Sequence, residues 1–295
     1  MHDASVTERE PVSGAGAEFR TTGTLVDRAI SLLEGCPTTS EIITANVLGL
    51  KHTRSIIADR LAVALLGSDP RVTRLANGMW SLLAPARPTP IRDCTFAVVD
   101  VETTGSRSGN GDRITEIAIV AVNGRSHQVV LDTLVNPQRS IPARVTSITN
   151  ITQADVSTQP TFHEIADDVT RELAGRVFTA HNASFDWGFV SREIRRARDV
   201  SLDGYRICTA RLARNLIPGL KSRSLDSLAR YFGIEIEHRH RAGGDAIAAA
   251  KLLIRLIELA EERGATSVED LVGFRRSAGK RKRKRSAMPR SMEEI

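Results

Sequence analysis

No stretch of this chain approaches the roughly 18 consecutive apolar residues of a membrane-spanning helix, so a helical span is excluded and no membrane partner is expected. Residues 1–20 lack a basic start followed by an apolar block, and no secretory signal is read there. Cysteine is scarce. Cys36, Cys94 and Cys208 are odd in number and far apart. They suit a reducing cytoplasm and suggest neither a disulfide framework nor a zinc site. Internal repeats are absent. Excess charge is also absent from most of the chain: the net charge is +6, and the run Lys280, Arg281, Lys282, Arg283, Lys284, Arg285 accounts for all of it, since 6 − 6 = 0.

What is present is a chain of 295 residues with 41% hydrophobic content, enough for a real core and comfortable for two domains. Residues 1–20 mix Gly, Ser, Glu and Ala and are expected to be disordered. In residues 21–83, Leu25, Val26, Ala29, Ile30 and Leu33 recur at helical spacing. Thr39 or Ser40 can cap a second helix through Ile42, Ile43 and Val47. A third runs from about Thr53 to Leu66, with Ile56, Ile57, Leu61, Ala64 and Leu65 expected to face inward. Asn77–Gly78, between Val72/Leu75 and Trp80/Leu82, predicts a hairpin. Three helices and a hairpin resemble a winged-helix domain. Lys51, His52, Arg54 and Arg60 would supply phosphate contacts if it binds DNA; the pattern equally allows a protein partner. Residues 84–92 carry three prolines and predict a stiff linker holding two domains apart. Residues 277–295 form a basic tail. It can hold phosphate backbones without reading sequence, or serve only as a solubilising end.

Residues 93–276 are organised around Phe96–Gly105. An apolar run there feeds into Asp100 and Glu102, which alternate onto one face of a strand. Two like charges at a buried strand end repel unless a cation or proton lies between them. Further strands are expected at Ile114–Val122 and Gln128–Val135, which with the Phe96 strand form an antiparallel meander, and a fourth at Arg176–His181. His181-Asn-Ala-Ser-Phe-Asp186 ends the fourth strand, with Asn182 read as the N-cap of a helix that carries Asp186 near its positive end. His238-Arg-His-Arg-Ala-Gly-Gly-Asp245 opens a long helix, with His240 five residues before Asp245. A histidine titrates near neutrality, with a reference pKa of about 6.5, and can take a proton from water. Four carboxylates without a soft ligand favour Mg²⁺ or Mn²⁺ over zinc.

Asp100-x-Glu-Thr-Thr-Gly105, His181-Asn-Ala-x-Phe-Asp186 and His240-x-Ala-x-x-Asp245 resemble, in order and spacing, the three motifs of the DEDDh group of 3′–5′ exonucleases. That group includes epsilon-type proofreading subunits of bacterial DNA polymerase III. The resemblance covers about residues 93–265. It implies an α/β, ribonuclease H-like fold: a mixed five-stranded sheet flanked by helices. Its fifth strand would lie around Tyr205–Cys208 or Ile234–Glu237. It also implies two Mg²⁺ or Mn²⁺ ions, with Asp100 bridging both, Glu102 and Asp245 completing one, and Asp186 the other through water. His240 would be the general base, with His238 misplaced for that role. Thr103, Thr104, Gly105, Thr149, Asn182 and Phe185 would contact substrate; Thr149 stands where the family often has histidine. The implied activity is release of nucleoside 5′-monophosphates from single-stranded or frayed 3′ ends, DNA favoured, with a DNA polymerase or repair complex as partner. The alternatives are an RNA 3′-end trimmer and a nucleic-acid-binding adaptor with an inert nuclease-like domain.

Overall fold

Residues 95–103 carry apolar side chains on both strand faces, as a strand covered on both sides requires. They form β4 (Thr95–Thr103), the central strand of the sheet. In the computed structural model, residues 15–21, 24–33, 37–69, 71–83 and 88–274 are described. Phe96 and Val98 point into one core cluster, and Ala97, Val99 and Val101 into the other.

β4 pairs antiparallel with β5 (Ile114–Asn123), which pairs antiparallel with β6 (Ser126–Leu134). On its other side β4 runs parallel to β7 (Val177–Ala180), and β7 runs parallel to β9 (Arg206–Cys208), another strand of the sheet. The order β6-β5-β4-β7-β9 is the mixed five-stranded sheet that the motifs implied. Its fifth strand is Arg206–Cys208; Ile234–Glu237 is not a strand.

Helices flank the sheet: α4 (Ala143–Thr149), α5 (Gln153–Ser157), α6 (Phe162–Leu173), α7 (Ser184–Arg198), α8 (Thr209–Leu216), α9 (Leu225–Phe232), α10 (Ala242–Glu261) and α11 (Val268–Gly273). α10 buries Ala246, Ala249, Leu253 and Leu256 in the cluster that holds Phe96 and Val98. α6 and α7 bury Val169, Leu173, Phe189 and Ile194 against the opposite face.

Ahead of this body lie α1 (Leu25–Leu33), α2 (Ser40–Val47), α3 (Ser55–Leu66), and a hairpin of β2 (Val72–Arg74) and β3 (Trp80–Leu82) turning at Asn77–Gly78. The Thr39 side chain accepts the Ile42 N–H at the start of α2. The inward face of α3 differs from the expected one. Ala58, Ala62 and Leu66, spaced by four, are buried, while Ile56 is 66% exposed and Ile57 48%. Small residues let the helices approach, so the alanines rather than the isoleucines mark the packed stripe.

Two expectations at the borders are overturned. Disorder was expected through residue 20, yet Glu18–Thr21 form β1, paired antiparallel with β8 (Val200–Asp203). Gly16 precedes it so closely against Gly175 that a Cβ would lie 2.2 Å from the Gly175 carbonyl carbon, an approach open only to glycine. The end of the stiff linker is docked rather than free. The Thr89 N–H reaches Glu269 Oε2 at 3.0 Å, Pro90 bridges to Ser267, and Ile91 is buried. Residues 1–14, 84–87 and the basic run 280–285 lie outside the described residues, as does Cys36.

Candidate active site

β4 delivers Asp100 and Glu102 to one end of the sheet, and α10 brings Asp245 in its first turn. One ligand oxygen from each of these three lies within 4.8 Å of the others. Asp186, in the first turn of α7, is outside that group of three, but its charge is the strongest single one acting on Asp100. Asp100 thus has Glu102 and Asp245 in its cluster and Asp186 as a further charged neighbour. The three clustered acids, 145 residues apart at the extremes, meet because α10 begins at the end of the sheet where β4 finishes, and α7 begins near enough for the Asp186 charge to act on Asp100.

Burial, then the charges of Asp186, Asp245 and Glu102, lift the Asp100 carboxyl well above the usual carboxylate range. Burial pushes Glu102 up to about 8, with Asp245 and Glu116 adding to it and Arg239 opposing. Burial also lifts Asp186 to about 8, against hydrogen bonds from its own backbone N–H and that of Val101. Asp245 is raised by burial, with Arg239 the main opposing charge.

Arg239 is the cation nearest at hand. Its Nε and Nη2 grip Asp226 at 2.8 and 3.1 Å, and its Nη1 bonds Asp245 Oδ2. The backbone N–H of His240 meets the same oxygen at 3.3 Å. Asp245 Oδ1 is buried without a hydrogen-bond partner. A buried, orphaned carboxylate oxygen beside two other carboxylates suits a hard divalent cation, because only oxygen donors converge there. The donor set therefore fits the implied metal.

His240 is exposed, sits at φ +65°, and holds Nδ1 3.4 Å from Arg239 Nη1. Gly244 permits its turn: a Cβ there would lie 1.8 Å from the Glu237 carbonyl oxygen. His238, also exposed, has φ +50°.

A cleft of about 420 Å³ adjoins Glu102 and is lined by Thr103, Thr104, Gly105, Thr149 and Phe185. The hydroxyls of all three threonines are engaged within the protein. Thr103 donates to Gly105 O at 2.6 Å, Thr104 accepts the Arg113 N–H at 3.0 Å, and Thr149 donates to Val145 O at 3.2 Å. They shape the wall. Phe185 also packs against Phe189, with ring centroids 5.0 Å apart and planes tilted by 51°. Asn182 is exposed, does not line this cleft, and is not the helix cap expected of it. It takes φ +69°, and its carbonyl accepts the Phe185 N–H at 2.9 Å, so Ala183 stands at the cap.

Sequence reasoning missed the rest of the lining, Pro142, Arg144, Val145 and Ile148, which like Thr149 comes from α4 and its lead-in. Ile148 is 47% exposed there, a fact that the sequence alone does not reveal. Lys51, Arg54 and Arg60 are exposed at α3 and its approach.

A family model described as exonuclease matches residues 97–253, slightly more than half of the chain. The chain belongs to the exonuclease family. Its exonuclease domain is 33% identical over 166 residues to the DNA polymerase III subunit epsilon of Aquifex aeolicus, covering 56% of this chain and 82% of that protein. It is 39% identical over 197 residues to a DNA polymerase III subunit epsilon-like protein of Rhodobacter capsulatus, covering 65% of this chain but only 27% of the relative. The chain likewise spans just 12% of a PolC-type DNA polymerase III of Caldanaerobacter subterraneus. Among solved structures, Exonuclease X in complex with 5′ overhanging duplex DNA is 30% identical, with a TM-score of 0.48 over 60% of this chain and 98% of that one. No helix among the described residues is long and apolar enough to cross a membrane.

Proposed function

We propose that this exonuclease domain removes nucleoside 5′-monophosphates from single-stranded or frayed 3′ ends, DNA favoured, with divalent metal ions and with His240 as general base. The observation that carries this reading is the convergence of Asp100, Glu102 and Asp245 within 4.8 Å, beside an open cleft and next to an exposed histidine.

Asp100, Glu102, Asp186 and Asp245 would hold two Mg²⁺ or Mn²⁺ ions. Bound there, such ions supply positive charge to the attacking and leaving oxygens of an in-line displacement. The protein's own groups do the rest. Thr103, Thr104, Ile148 and Phe185 give the terminal nucleotide a narrow, partly apolar slot. An unpaired end enters it without the energy of unstacking a pair. His240, exposed beside Asp245, accepts the proton of the attacking water. Arg239, fixed by Asp226, holds Asp245 Oδ2 and leaves Oδ1 free to face the cation.

Residues 24–83 are a winged-helix-like unit in this reading. Lys51, Arg54 and Arg60 are available there for phosphates, and the basic run at 280–285 adds salt-sensitive tethering. A DNA polymerase or repair complex is the partner that would present 3′ ends in trans.

The test uses end-labelled single-stranded DNA and RNA of matched sequence with Mg²⁺, Mn²⁺ or EDTA. Stepwise shortening from the 3′ end, abolished by EDTA and by Asp100→Ala, is expected. Retention of both strands uncut would instead make the chain an adaptor, and faster shortening of RNA would make it an RNA trimmer.

A further inference from the structure

One buried acid near the site stands outside the metal-binding group. Glu116, on β5, is 2% exposed and lies directly across the ladder from Glu102, so both project to the same face of the sheet. Its ligand oxygens are not among those clustered with Asp100, Glu102 and Asp245. They are saturated by protein donors instead. Arg241 Nε meets Oε1 at 3.0 Å and Oε2 at 3.1 Å, and Arg241 Nη2 meets Oε1 at 2.5 Å. The Ala242 N–H meets Oε2 at 2.9 Å. A carboxylate gripped by a guanidinium fork and a helix-end N–H needs no further cation.

What Glu116 grips is informative. Arg241 follows His240, and Ala242 is the first residue of α10. Arg241 stands at the cap of that helix and supplies no capping side chain, so a carboxylate from β5 does the capping. The His240 ring is exposed, and packing alone does not fix it; its placement comes from the backbone of its turn. That turn is pressed on Gly244 from one side and clasped at Arg241 from the other.

We propose that Glu116 and Arg241 are positioning residues. By pinning the backbone one step after His240 to the strand beside Glu102, they set the imidazole at a fixed distance from the acid cluster. This deepens the reading above and rests on His240 being the general base. Displacement of a catalytic group by about 1 Å can lower a rate by about 100-fold. Loosening the clasp therefore depresses turnover and leaves ion and substrate binding largely alone.

The experiment compares the full chain with Arg241→Ala, Arg241→Lys and Glu116→Gln. Five quantities are measured: kcat and KM for nucleotide release from single-stranded DNA, Mn²⁺ affinity by calorimetry without substrate, thermal midpoint, and amide hydrogen exchange at residues 239–242. Arg241→Ala is expected to lower kcat by about 10- to 100-fold, with KM and Mn²⁺ affinity within about threefold and exchange at 239–242 accelerated. The lysine and glutamine variants keep one or two of the contacts and should recover part of the lost turnover. A parental kcat in Arg241→Ala, despite a lower thermal midpoint, would reduce the clasp to a fold-stabilising tie and overturn the proposal. So would a parallel tenfold loss of Mn²⁺ affinity, which would assign the clasp to Asp245 instead. No nucleotide release by the unsubstituted chain would sink the exonuclease reading itself, and this inference with it.

Discussion

The two regions of this molecule treat their hydrophobic residues differently. In the exonuclease domain, β4 is covered on both faces, and Phe96, Ala97, Val98 and Val99 are each at most 2% exposed. In the helical region before it, one small cluster of Ala29, Leu33, Ile43, Val47, Ala62, Leu66 and Trp80 forms the core, while Ile42, Leu50, Ile56 and Ile57 are each more than 40% exposed. A strand buried on both sides makes hydrophobicity and burial the same signal. A three-helix unit with apolar surface separates them, because packing there is decided by which residues are small enough to let helices meet.

The largest effect should come from the acid cluster. Asp100→Ala is expected to lower nucleotide release at least on the order of 10²–10³-fold, read in a single-turnover assay, with the fold intact by circular dichroism. Next come the two cores. Phe178→Ala, at 0% exposure, should destabilise the exonuclease domain by about 3–5 kcal/mol. Leu66→Ala should destabilise the helical region by about 2–5 kcal/mol. Chemical denaturation followed at Trp187 and at Trp80 distinguishes the two, since the tryptophans lie in different cores. A single transition moving equally at both would erase the distinction between regions.

The acid cluster also fixes a pH response. Glu102 and Asp186 are lifted to about 8, so between an ordinary carboxylate value and about 8 the folded chain binds more protons than the unfolded one. Stability of the metal-free protein must then fall as pH rises from about 5 to about 8. Ion binding needs the deprotonated acids, so Mn²⁺ affinity must rise over the same window. A metal-free melting temperature that climbs across that range would contradict the burial described for these carboxyls.

Smaller effects remain. Deleting residues 277–295 should weaken substrate binding at low salt and matter little at high salt, as counterion release requires; a KM indifferent to salt in both forms would remove the tail from binding. Ile56→Ser should shift stability by less than about 0.5 kcal/mol. A core-like loss at Ile56 would restore the inward face that its spacing suggested.

The acid residues were legible because Asp100/Glu102, Asp186 and Asp245 each sit at a strand end or helix start, positions that turn chemistry marks locally. β9 was legible only as one of two options, since three residues carry too little pattern to separate Arg206–Cys208 from Ile234–Glu237. Asn182 misled because a good capping residue in a left-handed conformation cannot aim its side chain at the helix it precedes. The docking of Pro90 on Ser267, the Glu116–Arg241 pair and the wall at Ile148 depend on residues distant in sequence. Local spacing holds no trace of such meetings.

The strand at Glu18–Thr21 carries a practical lesson for anyone trimming this protein. The helical region starts and ends on the same body, at β8 and at α11, and is an excursion from the exonuclease rather than a detachable head. A shortened chain beginning at Thr95 would leave the backbone of Val200–Asp203 without its neighbour. Bare strand edges recruit other strands, so that fragment should self-associate more readily than the longer protein.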